Sequence, residues 1–212
     1  MLDCMKKRND LLGETVVKNL KMRQMDAYYV QTKEEALKKA LELIPADHSI
    51  GWGGSVSVGE IGLREALAKR GNPILDRDSA KTPEEKDLIQ HQILSCGTFL
   101  MSSNAVTEKG ELFNIDGAAN RVAALCYGPK SVVMIVGINK VVADMDAAYS
   151  RVRHYVAPVN AARFCDATPC SKTGTCADCL SSQTICCQMV TTRYSRIPNR
   201  IKVILVNETL GM

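Results

Sequence analysis

Residues 131–136, SVVMIV, form a continuous apolar, β-branched run that constrains the fold more than any other segment of the chain. A strand with one wet face alternates apolar and polar residues, whereas one that is apolar throughout has both faces covered, as in the middle of a parallel sheet. Residues 98–102 (TFLMS) and 201–206 (IKVILV) have the same buried character. Parallel neighbours need crossover connections, usually helical, and the segments between these runs do change to a helical period. The chain therefore reads as α/β: a Rossmann-like, mostly parallel sheet with helices on both faces and right-handed crossovers. With 212 residues, 46% of them hydrophobic, it reads as a single domain over 1–212, with a cysteine-rich loop at 165–187.

Local signals fill in the order. Leu11, Leu12, Val16, Val17 and Leu20 have helical spacing near the N-terminus, and DAYYV at 26–30 is strand-like. Thr32 with Glu35, and Thr82 with Pro83 and Glu85, are helix-start signatures. Ser57 and Glu60 suggest a third capping box, opening a helix that ends near Gly71. Residues 73–75 are strand-like, and the Lys109–Gly110 turn before ELFNI suggests a hairpin. Helices are expected over 120–126, over about 141–155 and again from Asn160, after which the cysteine segment interrupts the alternation.

The net charge of +4 is mild, and the basic residues are interspersed with acidic ones. No basic run with interleaved aromatics marks a nucleic-acid surface. The opening MLDCMKKRND has no apolar segment behind its charges, and no stretch of about 18 apolar residues could span a membrane. The expected location is the cytoplasm, where thiols stay reduced.

That expectation changes how the nine cysteines are read. Cys170, Cys176, Cys179, Cys186 and Cys187 fall within eighteen residues, in TPCSKTGTCADCLSSQTICC. A Cys-x-x-Cys pair can converge on one ion, and two further thiols at loop distance complete the soft ligand set of zinc or an iron–sulfur cluster. The spacing signals a metal without choosing one. Cys165 is a spare ligand in this reading, while Cys4, Cys96 and Cys126 read as packing residues.

Ligands of such sheets collect at the carboxyl ends of the strands, where three polar loops are expected. In the first, Gly53, Gly54 and Ser55 let backbone amides approach an anion. The second contains Asn114, Asp116, Gly117, Asn120 and Arg121; its arginine can grip a carboxylate or phosphate through two hydrogen bonds. Asp116–Gly117 also suits a plain turn, and Asn120 a helix cap. The third offers Gly137, Asn139 and Lys140. Arg151, Asn160 and Arg163 add polar groups further on, whereas Arg153 cannot share a helical face with Arg151 and reads as solvated. His48 and His91 read as structural.

Taken in order, GWGGS, NIDG followed by NR, GINK, APVNAARF and TPC…GTC-x-DC…ICC resemble the LUD-domain proteins, named for lactate utilisation. The resemblance covers nearly the whole chain and matches a short stand-alone branch with C-terminal cysteines. It implies the fold of sugar-phosphate isomerases, CoA transferases and formyltetrahydrofolate cyclo-ligases, with a site over the strand ends. It also implies a place in organic-acid metabolism, with iron–sulfur oxidoreductase subunits as partners and a glycine near Ala118 or Ala119, where this chain has alanine. Three functions fit. The first is a redox-associated protein that binds a small anionic metabolite and carries an iron–sulfur cluster. The second is a sugar-phosphate or CoA-type enzyme with structural zinc and Asp116 as catalytic base. The third is a non-catalytic regulatory subunit. Self-association into a homo-oligomer is compatible with all three.

Overall fold

The structure, a computed structural model, describes residues 2–163 and 167–212. Its central sheet has five strands: β1 (Asp26–Val30), β2 (Ile50–Trp52), β3 (Thr98–Met101), β6 (Ser131–Gly137) and β9 (Ile201–Val206). They lie in the order β1-β9-β6-β3-β2, and every pairing is parallel. The run that reads as the central strand occupies the central place. Residues 73–75 extend the edge beyond β2, with Ile50 N donating to Pro73 O (2.8 Å) and Leu75 N to Ile50 O (2.9 Å).

Alternation along β6 fixes the two faces of this sheet, because successive side chains point in opposite directions. Val132, Met134 and Val136 pack with Val16 and Leu20 of α1 (Asp3–Met22), Ile93 of α5 (Pro83–Ile93), and Ala124 and Leu125 of α6 (Asn120–Tyr127). Val133 and Ile135 pack the other way, against α2 (Lys33–Leu43), α3 (Val56–Glu60) and α4 (Leu63–Arg70). Helices thus cover both faces, as the continuous apolar runs require. Thr32 and Thr82 cap their helices as expected, accepting from Glu35 N (3.2 Å) and Glu85 N (3.1 Å).

A second sheet, in the order β7-β4-β5-β8, grows from the carboxyl end of β3. β4 (Ala105–Thr107) and β5 (Leu112–Asp116) form the expected hairpin around Gly110, whose φ of +82° suits glycine. β7 (Val141–Val142) pairs parallel with β4, and β8 (Gln188–Thr192) antiparallel with β5. α7 (Met145–Arg151) packs on this sheet through Ala148, which meets Ala105, Phe113 and Ile115. A π-helical turn (Val152–Val156) leads into α8 (Ala157–Ala161), and α9 (Pro169–Thr173) opens the cysteine segment.

Several expectations need correction. The helix expected from Ser57 is capped two residues earlier, by Ser55, whose hydroxyl accepts from Val58 N (3.4 Å). It also breaks at Gly62 (φ +67°) before α4 resumes and ends at Gly71. Ser57 is buried instead, where its hydroxyl meets Lys140. Asn120 is not a cap, since Ala119 holds that place in left-handed conformation (φ +64°). The helix expected from about residue 141 begins only at Met145, because Val141 and Val142 join the second sheet. Cys96 is buried, but Cys4 and Cys126 are exposed and lie outside the core.

Candidate functional site

A cleft of about 830 Å³ opens where the carboxyl end of β2 faces the second sheet. One wall begins at Trp52 and continues through Gly53, Gly54 and Ser55. The rest of that side comes from Arg77, just past the edge segment, and Arg64 of α4. The opposite wall is the β5–α6 turn, with Asp116, Gly117, Asn120 and Arg121. Asn160 of α8 and Arg163 lie across the mouth, joined by an Arg163 Nη1 to Asn160 Oδ1 hydrogen bond of 3.2 Å.

Arg121 is the best-anchored cation of the cleft. Its Nη2 donates to Ile115 O (2.6 Å) and Asn104 Oδ1 (3.1 Å), and its Nε lies 3.8 Å from Asp116 Oδ2. Gly53 permits this placement, because a Cβ there would stand 2.5 Å from Arg121 Cγ. Burial lowers the Arg121 pKa, the Asp116 carboxylate opposes that, and the nearby Arg77 charge lowers it further. Two guanidinium groups thus repel one another across the cleft.

Asp116 is itself fully engaged. Its Oδ2 accepts from Arg121 N (3.0 Å) and Val122 N (3.1 Å), and its Oδ1 from Gly117 N (3.1 Å). Those amides would otherwise be orphaned at the start of α6, so the carboxylate substitutes for a capping side chain. Asn104, between the two sheets, also accepts from Ile115 N through Oδ1 (3.0 Å), and its backbone N–H donates to Asn114 Oδ1 (3.3 Å).

Arg64 and Arg77 share Asp78. Arg64 Nη1 is 4.0 Å from Asp78 Oδ2, Arg77 Nε is 3.6 Å from Oδ1, and Trp52 Nε1 donates to Oδ2 (3.4 Å). Arg64 stacks over the Trp52 ring at 5.5 Å. The Nε atoms of both arginines are buried without a hydrogen-bond acceptor.

The structure therefore gathers Gly53, Gly54, Ser55, Asp116, Gly117, Asn120, Arg121, Asn160 and Arg163 around one space. The others lie behind it. Asn114 is wholly buried and donates to Ser103 Oγ (3.4 Å). Asn139 Oδ1 accepts from Leu210 N (3.1 Å), and Gly137 is close-packed against Asn139 and Leu210. Arg151 donates to Asn104 O (3.1 Å) and Asn139 O (3.3 Å). Lys140 is buried, donating to Ser57 Oγ (2.8 Å) and Ser102 Oγ (2.9 Å).

Sequence reasoning missed Arg64, Arg77, Asp78 and Asn104, and placed Trp52 in the first loop without giving it a role. Arg77 carried a usable signal, because it follows a strand-like run and so falls at a strand end. Arg64 and Asn104 carried none, since their roles depend on how a helix and a second sheet approach the first.

The cysteines divide. Cys170, Cys176, Cys179 and Cys186 line one cavity with Arg153, while Cys187 is exposed with its thiol 3.6 Å from Thr184 O. Arg153 is buried rather than solvated and bonds Asp178. Burial works against its charge, but the Asp178 carboxylate and the Cys176 sulfur outweigh that and raise its pKa. Cys165 lies outside the described residues. Among the described residues no cysteine is in a disulfide, and no group of three or more His, Cys, Asp or Glu side chains is placed to hold a metal ion. No described helix is long and apolar enough to cross a membrane.

One solved structure agrees with this architecture over nearly its whole length. A crystal structure of a DUF162 family protein from Deinococcus radiodurans superposes with a TM-score of 0.56 at 13% identity, covering 94% of this chain and 98% of that one. Ribose 5-phosphate isomerase A from Neisseria gonorrhoeae matches in part, with a TM-score of 0.34 at 19% identity over 53% of this chain and 54% of that one. No curated protein sequence matches the chain. The family model of the LUD domain matches residues 13–206, nearly the full length, and the chain belongs to the LUD domain family.

Proposed function

We propose that the cleft binds a small anionic metabolite of organic-acid metabolism, the setting with which the LUD family is associated, and that the cysteine segment beside it holds a metal. The observation that carries the first part is the state of Arg64 and Arg77, whose buried Nε groups have no hydrogen-bond acceptor. A buried unmade hydrogen bond to a charged donor is costly, and a carboxylate or phosphate accepts from guanidinium groups in the favoured bidentate geometry. Four arginines line the cleft, and its carboxylates are largely engaged by protein groups. Asp116 meets three backbone amides and Glu60 Oε2 accepts from Gly211 N (2.8 Å). Asp78 is shared by Trp52, Arg64 and Arg77. An entering anion would also relieve the repulsion between Arg77 and Arg121.

This reading makes Asp116 a positioning residue rather than a general base. Its oxygens are occupied by the α6 amides, and its charge orients Arg121. The glycines of the first loop bring backbone close to the ligand, and Trp52 with Arg64 forms a flat wall against which a planar carboxylate fits.

Titration of the full chain with inorganic phosphate and with pyruvate, followed by calorimetry, tests the reading. Binding of at least one is expected, and Arg77→Gln should weaken it by about tenfold or more, through loss of a charge-assisted hydrogen bond. Equal affinity in wild type and Arg77→Gln, or no binding of either anion, would reject it.

A further inference from the structure

The cysteine segment has little to hold it in place. Between Gly174 and Gln188 there is neither helix nor strand, and its hydrogen bonds are mostly local turns such as Thr184 N to Ser181 O (3.0 Å). Leu180 is completely exposed, and only the end of the loop, at Ile185 and Cys186, packs against the second sheet. Yet four thiols of this loop segment face one cavity of about 20 Å³. Packing alone would not select cysteine four times on a polar loop while the neighbouring Cys187 is left outside.

We propose that Cys170, Cys176, Cys179 and Cys186, which face one cavity without yet converging, close tetrahedrally around a single zinc-type ion, and that this ion fixes one wall of the cleft. The inference deepens, and rests on, the reading that this segment binds a metal. The room matches one ion: the cavity is of the size that holds about one water, whereas a four-iron cluster needs space for eight core atoms. Four thiolates around a divalent ion leave an excess of negative charge, and Arg153 supplies the compensation. It is buried at the cavity edge, lines the same cavity as Cys176 and is held by Asp178. Such outer partners orient ligands and tune a metal site.

Ala157 of α8 and Ile185 of the cysteine loop line both this cavity and the cleft, and Ile185, next to Cys186, is the link that the metal would fix. Its Cα lies 3.2 Å from where a Gly117 Cβ would stand, so it presses against the turn that carries Asp116 and Arg121. β8 then begins at Gln188, in register with Asp116. Fixing Cys186 fixes Ile185, and with it the β5–α6 turn.

Metal content of the full chain, purified anaerobically and reduced, tests the assignment together with amide exchange. Wild type and Cys187→Ser should each hold about one zinc per chain, with cobalt substitution giving tetrahedral tetrathiolate bands. Cys176→Ser and Cys186→Ser should lose the metal. Zinc removal should speed exchange over residues 115–121 by about tenfold, while 131–137 is unchanged. Stoichiometric iron with labile sulfide would overturn the single-ion assignment and keep the broader metal reading; no bound metal at all would overturn both. Cys187→Ser losing zinc as fully as Cys186→Ser would reject the ligand set, and unchanged exchange at 115–121 would reject the link to the cleft.

Discussion

Lys140 shows how far a residue's role can depart from its type. A lysine after a strand reads as a surface charge for an anion, yet here it is buried between Ser57 and Ser102 hydroxyls. Burial, and then the Arg151 and Arg121 charges, lower its pKa from 10.5 to about 7, with Glu60 opposing. A neutral amine still carries two N–H groups, enough to donate to both hydroxyls, so the arrangement is self-consistent. In the unfolded chain the amine keeps its ordinary value, so between about pH 7 and 10.5 the unfolded state binds more protons. Stability must then rise with pH across that window. Urea unfolding of wild type and Lys140→Met at a series of pH values measures this. The wild-type curve should climb relative to the mutant from pH 7 upward, and parallel curves would show that the amine stays charged.

At the scale of elements, turns and caps decide the geometry of the cleft. The β5–α6 turn holds Ala119 in left-handed conformation, where a Cβ is disfavoured. The family resemblance places a glycine near this position, and the φ of +64° supplies the physical reason. Ala119→Gly should therefore stabilise the protein, by about 0.5–1 kcal/mol, with the gain reduced by the greater freedom of glycine in the unfolded chain. A shift of the thermal midpoint upward would bear this out; a fall would mean that the alanine methyl makes a packing contact of greater value. Caps that depend on adjacent residues were legible: Thr32 and Thr82 act as expected. The Ser57 box was not, because Ser55 two residues earlier competes for the same role, and because Ser57 is needed by Lys140, 83 positions along the chain.

At the scale of the molecule, the sheet divides rigid from yielding parts. β6 pairs on both sides and is buried at every position, whereas residues 174–187 are held by local turns. Native-state amide exchange should be slowest in β6 and β9 and fastest in that loop, since local opening follows burial and hydrogen bonding. Equal protection across both would contradict the stability gradient that this topology implies. The second sheet was the least legible part. β7 has two residues and β8 reads QMVTT with a half-exposed pattern, so neither stands out from a loop until β4 and β5 offer an edge.

The amino-acid sequence by itself determined the parallel sheet, its two covered faces and the strand-end loops, because apolar periodicity and capping chemistry are local properties that any fold of this chain must satisfy. It also marked the cysteine segment, since five thiols in eighteen residues are visible without coordinates. Only the tertiary structure decided which polar groups share a space. Arg64, Arg77 and Asn104 enter the cleft, Lys140 and Asn114 withdraw behind it, and Cys187 separates from its four neighbours. Those outcomes depend on crossover paths and on the approach of a second sheet, and long-range packing of this kind leaves no periodic trace in the residues that it brings together.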